Sequence, residues 1–122
     1  EYRYIMITVR LYDEFPWYAD AIKPGDKYIG DQDRIIAEIL DKKVEFAETV
    51  VNTADGRVLE RRNPLKKDIT LTLKIEVADR NGTFYFNHVQ PVKIGNILWV
   101  PTDRININEA KIIGIEEIQE NR

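Results

Sequence analysis

The chain contains no cysteine and no serine, and its single histidine is His88. These absences exclude a disulfide scaffold, a thiolate metal site, and a serine or cysteine nucleophile. No apolar run approaches the roughly 20 residues that cross a bilayer as a helix. There is also no excess of positive charge, because the net charge of −3 gives no global field toward nucleic acid or an anionic membrane. What is present is ordinary for a folded domain: 122 residues, 43% hydrophobic and 32% charged, which excludes a disordered tail. This length closes one core without cross-links, so residues 1–122 are expected to form one domain.

Strand patterns dominate. Ile5, Ile7, Val9 and Leu11 alternate with Thr8 and Arg10, which places the apolar set on one face of a first strand. Ile69, Leu71, Leu73, Ile75 and Val77 repeat that pattern in the second half. Asn81-Gly82 supplies the positive φ angles of a tight hairpin into Thr83–Phe86, and Asp55-Gly56 marks a turn after a β-branched stretch from Arg34 to Val51. Further strands are expected at Asp26–Gly30, Ile97–Val100 and Lys111–Ile118. Val58 to Lys67, basic and interrupted by Asn63-Pro64, reads as an edge strand or an exposed loop. One short helix is expected between Pro16 and Pro24-Gly25. About eight strands at short spacing predict an all-β fold, a small closed or nearly closed barrel. Its interior is expected to hold Ile7, Val9, Leu71, Leu73, Ile75, Trp99 and Ile113.

The two halves echo each other. Thr8-Val9-Arg10-Leu11 matches Thr72-Leu73-Lys74-Ile75, and Ile22-Lys23-Pro24-Gly25-Asp26 matches Val92-Lys93-Ile94-Gly95-Asn96. Asp33-Arg34 matches Asp103-Arg104. Ile35 to Ile39 matches Ile112 to Glu116 more loosely. An internal repeat of residues 5–51 and 68–118 would give the barrel a pseudo-two-fold axis, with Gly25 and Gly95 at equivalent left-handed turns. The alternative is shared turn chemistry, since many β-barrels reuse glycine before a strand.

The run Ala19-Asp20-Ala21-Ile22-Lys23-Pro24-Gly25-Asp26-Lys27-Tyr28, followed by Val92 to Thr102 and then Ile112-Ile113-Gly114-Ile115, resembles an uncharacterised bacterial family known only as a domain of unknown function. The resemblance runs from about Ile7 to Ile118. It implies a β-rich domain outside the membrane, held by one N-terminal transmembrane helix that this sequence lacks. It brings no catalytic residues. An extracytoplasmic, envelope-associated location is therefore expected, with the cytoplasm as the alternative.

Candidate chemistry is sparse. His88 has no evident general-acid or general-base partner and reads as a loop residue. Asp26, Asp31 and Asp33 lack the spacing of a calcium loop and read as turn caps. No catalytic residue, metal ligand or cofactor is predicted. Asn81-Gly82-Thr83 is formally a glycosylation sequon, but it sits in a tight hairpin. Two clusters are candidate binding residues. Arg57, Arg61, Arg62, Lys66 and Lys67 form the one basic stretch, diluted by Glu60 and Asp68. Phe15, Trp17 and Tyr18, beside Pro16, form either an exposed contact patch or the plug of one barrel end, and the plug is the expected role. The expected function is a non-catalytic module that binds a protein partner, with no nucleic acid and with membrane contact only through the anchor. The alternative is a structural subunit that self-associates through the Arg57–Lys67 stretch and the N-terminal strand.

Overall fold

The structure, a computed structural model, describes residues 2–118. In chain order the elements are β1 (Tyr2–Glu14), α1 (Pro16–Ala21), β2 (Lys27–Ile29), a 3-10 turn (Asp31–Asp33), β3 (Ile35–Asn52), β4 (Val58–Arg80), β5 (Thr83–Phe86), β6 (Gln90–Pro91), β7 (Ile97–Pro101) and β8 (Asn106–Glu117). The fold is all-β with one short α-helix. All strands belong to one antiparallel sheet ordered β2-β3-β4-β1-β8-β7, with β5 on β4 and β6 on β5. The sheet curls into a half-barrel and does not close by strand pairing, so of the expected closed or nearly closed barrel the closed form is excluded. Both β2 and β7 end the ladder.

Alternation fixes which face is the core. Ile5, Ile7, Val9 and Leu11 of β1 and Ile69, Leu71, Leu73, Ile75 and Val77 of β4 are buried on the concave side. They meet Ala37 and Ile39 of β3, Leu98 and Val100 of β7, and Ile107, Ala110 and Ile112 of β8. Each fully buried aliphatic side chain contributes about 1.5–3 kcal/mol relative to exposure. Trp99 and Ile113, expected inside, are 45% and 43% exposed. Leu98 and Val100 take the inward phase of β7, which sends Trp99 outward. Ile113 sits in a bulge, because Val9 pairs with Ile112 while Thr8 pairs with Gly114. The ring that fills the core is instead Phe86, at the end of β5, fully buried.

The strand order reads the same from either edge if β1 is exchanged with β4, β3 with β8, and β2 with β7. Thr8 lies opposite Thr72 in the central pair. Ile39 pairs with Leu73, and Ile112 pairs with Val9. The two glycine turns share one hydrogen-bond pattern. Gly25 N–H donates to Ile39 O at 2.7 Å, and Ile39 N–H returns to Asp26 O at 2.9 Å. Gly95 N–H donates to Ile112 O at 2.8 Å, and Ile112 N–H returns to Asn96 O at 2.9 Å. Both glycines have positive φ, 93° and 92°. These bonds set Ile39, not Ile35, against Ile112, which shifts the loose sequence match of the closing strands.

Where strand pairing stops, other groups cross the gaps. Asp103 N–H donates to Lys27 O of β2 at 2.8 Å. Arg104 reaches Asp26 through two hydrogen bonds of 2.8 Å each and also donates to Ala21 O at 2.7 Å. On the other side, the Gln90 carboxamide of β6 exchanges two hydrogen bonds with the Trp99 backbone of β7. Beyond Lys67, where β1 leaves β4, the pairs from Ala47 opposite Asn63 to Asn52 opposite Val58 form a two-stranded arm. The stretch 58–67 thus takes the expected edge-strand form rather than that of a loop.

A candidate binding surface at the base of the arm

Helix α1 is too short to be stable alone and is held by packing and by its C-terminal end. Ala19 and Ile22 are buried, and Tyr18 packs against the same core cluster. Lys42 Nζ donates to Ala19 O at 2.9 Å, so this cation and Arg104 both meet carbonyls at the helix C-terminus. Tyr18 Oη donates to Asn106 O at 2.5 Å and accepts from Asn108 N–H at 3.2 Å, tying the helix to β8. Burial pushes the Tyr18 phenol above its ordinary range, against the opposing bond from Asn108.

The helix does cover one end of the half-barrel, but through Tyr18, Ala19 and Ile22. Trp17 is 68% exposed and Phe15 is 51% exposed, which corrects the plug role expected of the Trp17 ring. The physical reason is the phase of a six-residue helix: with Tyr18 and Ala19 turned to the core, Trp17 is carried to the solvent side. The Phe15 and Trp17 rings stack with an 11° interplanar angle and centroids 6.1 Å apart, and Tyr18 meets the Trp17 ring edge-on at 5.9 Å.

The fold brings the two candidate clusters together at one point. Lys66 Nζ lies 3.5 Å from the Phe15 ring centroid, a cation–π contact between residues far apart in sequence. This is possible because β4 opposes Lys67 to Phe46 but Asn63 to Ala47, so residues 64–66 bulge from the ladder. Leu65, in that bulge, is 73% exposed. Lys67 Nζ lies 3.6 Å from the Phe46 ring centroid, beside a shallow groove that Arg62 and Glu48 also line. The basic residues are not gathered at the Lys66–Phe15 contact, although Arg62 and Lys67 share this groove. Arg57 pairs with Asp55 at the arm's tip at 2.9 Å, and Arg61 and Arg62 are exposed on β4 opposite Thr49 and Glu48. Acidic groups border the surface: burial raises the Glu14 carboxyl above its ordinary range, and Glu109 adds to this while Lys66 opposes it.

Of the three turn aspartates only Asp26 has side-chain hydrogen bonds among the described residues; Asp31 and Asp33 lie in the 3-10 turn without them, so the capping role expected of these two is not seen. Asp26 uses both carboxylate oxygens on Arg104 and also accepts Lys23 N–H at 3.0 Å, so it caps its turn as expected. The Arg104 hydrogen bonds hold its carboxyl below the usual aspartate range. Among the described residues no three acidic or histidine side chains converge as a metal site. His88 is exposed in a turn with φ 71°, and Tyr2 Oη stands 3.5 Å from its Nδ1. No helix among the described residues is long and apolar enough to cross a membrane.

No family model, curated protein or solved structure matches this chain. The surface is therefore argued from its own residues. Arg104 and Gln90 escaped sequence reasoning, although Asp103-Arg104 had stood out as an echo of Asp33-Arg34. The Lys66–Phe15 contact had no sequence signal, because it depends on the bulge.

Proposed function

We propose that this chain is a non-catalytic β module that binds a protein partner through the surface formed by Phe15, Trp17 and Lys66, with Leu65 at its margin. The observation that carries this reading is the solvent-facing aromatic stack itself. Two rings are ordered against each other and against a lysine, while smaller residues of the same helix do the packing. Rings of this kind are the usual anchors of protein contacts. The module belongs outside the bacterial membrane in this proposal, on the strength of the family resemblance carried by Ala19–Tyr28 and Val92–Thr102. It is built from two copies of one three-stranded unit, a reading supported by the reversible strand order and the matched hydrogen bonds of the Gly25 and Gly95 turns.

The test is photo-crosslinking in the producing bacterium, with the photoreactive residue at position 17 and, as control, at the exposed Ile94. The expected result is a discrete adduct from position 17 that is lost in Phe15→Ala and Lys66→Ala backgrounds and absent from position 94. Identical adduct patterns from the two positions would remove the proposal.

A second reading, self-association, is favoured by the arm, whose residues 47–52 and 58–63 pair only with each other among the described residues. The N-terminal strand offers no free edge over Ile5–Arg10, where β4 pairs with it on one side and β8 on the other. Light scattering after size exclusion separates the readings, because only the second requires a multimer.

A further inference from the structure

The seam between β6 and β7 has an unusual construction. On one side of it, β5 pairs with both β4 and β6, and on the other, β7 pairs with β8, β8 with β1, and β1 with β4. A ring of strands at this end is therefore complete except at the β6–β7 junction. No backbone ladder joins these two strands. Side-chain carboxamides join them instead. Trp99 N–H donates to Gln90 Oε1 at 2.8 Å, and Gln90 Nε2 donates to Trp99 O at 2.9 Å. Asn96 Nδ2 donates to Pro91 O at 3.3 Å. A primary carboxamide offers a donor and an acceptor in one plane, the same pair that a neighbouring strand would offer to Trp99. The next residue of the same phase, Pro101, has no N–H to offer.

We infer that the Gln90 carboxamide acts as a surrogate strand residue that occupies the free edge of β7 and prevents two copies of this chain from pairing there. The need for such a guard is visible along β7. Ile97 and Trp99 are 57% and 45% exposed on the outer face, and an edge strand with exposed apolar side chains and unpaired amides is a template for another chain. The opposite edge needs no such device, because β2 is only Lys27–Ile29 and Lys27 O is already taken by Asp103. The partner admitted by loss of the guard is a second copy of this chain, whose β7 presents the same donors and acceptors.

The test uses Gln90→Met, which keeps the side chain's length and removes both hydrogen-bonding groups, with Gln90→Ala as a second variant. Two quantities are read: the exchange rate of the Trp99 amide by NMR in dilute solution, and the mass by light scattering as concentration rises. In dilute Gln90→Met the Trp99 amide should exchange about fivefold faster than in the wild type, the equilibrium worth of about one net hydrogen bond. At high concentration the mass should rise above the wild-type value, and a further Trp99→Lys substitution should reverse that rise. Unchanged mass at high concentration in both variants, with or without faster Trp99 exchange, would overturn the inference. So would a wild-type dimer in which the Trp99 amide is already protected by a second chain.

Discussion

Alanine substitutions at Phe86 and Trp17 in parallel test which aromatic ring holds the fold. Phe86, at the end of β5, is fully buried among the core residues, whereas Trp17 is 68% exposed and touches Phe15 and Tyr18. Truncating a buried phenylalanine removes its transfer free energy and leaves a cavity that the sheet fills only in part, at a cost of about 3–5 kcal/mol. For a domain of this size roughly 4 °C of melting temperature accompanies each kcal/mol, so Phe86→Ala should melt about 12–20 °C lower. Trp17→Ala loses little burial and one stacked contact, and should stay within about 0.5–1 kcal/mol, or about 2–4 °C. The assay is thermal and urea unfolding followed by far-ultraviolet circular dichroism at one pH. In Trp17→Ala, Trp99 remains as a fluorescent reporter. A Trp17→Ala shift equal to or larger than that of Phe86→Ala would refute the assignment of the two rings and restore Trp17 as the plug.

Asp26→Asn gives the first glycine turn the chemistry of the second, where Asn96 stands in the matching place. Because the folded Asp26 carboxyl titrates below its unfolded value, its contribution is complete above the unfolded value and is lost as pH falls through the folded one. The wild type should therefore lose more stability than Asp26→Asn over that acid window, read as melting temperature against pH; parallel curves would count against the Arg104 pairing. Gly25→Ala and Gly95→Ala should each cost about 1–2 kcal/mol, and by similar amounts, since both have strongly positive φ with no atom near an added Cβ. Gly114→Ala should be milder, because its Cβ would meet Thr8 at an ordinary 3.5 Å; urea titration ranks the three. His88→Ala should alter the unfolding free energy by about 0.5 kcal/mol or less, as for an exposed turn residue, read from the same urea titration.

What the sequence disclosed depended on whether a strand carried its own phase. Ile69 to Val77 alternates cleanly, so all five inward positions could be read directly, and Asn81-Gly82 announced its hairpin through its backbone requirement. Ile97-Leu98-Trp99-Val100 is apolar throughout. Nothing in it says which alternate pair faces in, so size alone favours the large ring for the core, where Leu98 and Val100 stand instead. Ile113 was misplaced by a bulge, a feature that pairing creates and composition does not mark. Both candidate binding clusters were visible as residue types. Their meeting at Lys66 and Phe15 was not, because it follows from three residues looped out of β4.

The exchange of partners between the halves has a consequence for how the chain reaches its fold. β3 completes its pairing with β4, and β8 completes its pairing with β1, so neither half can saturate its own sheet. Tyr2 waits for Ala78, and Ile5 waits for Glu117. During synthesis the first strand, with four fully buried side chains in its final state, emerges long before either neighbour exists. Loop-closure entropy must be met before these distant contacts reward it, which places folding in the slow, millisecond-to-second range of β proteins. Until β4 and then β8 follow it, the apolar face of β1 has no partner strand, which makes this segment the one most open to pairing with other chains during folding.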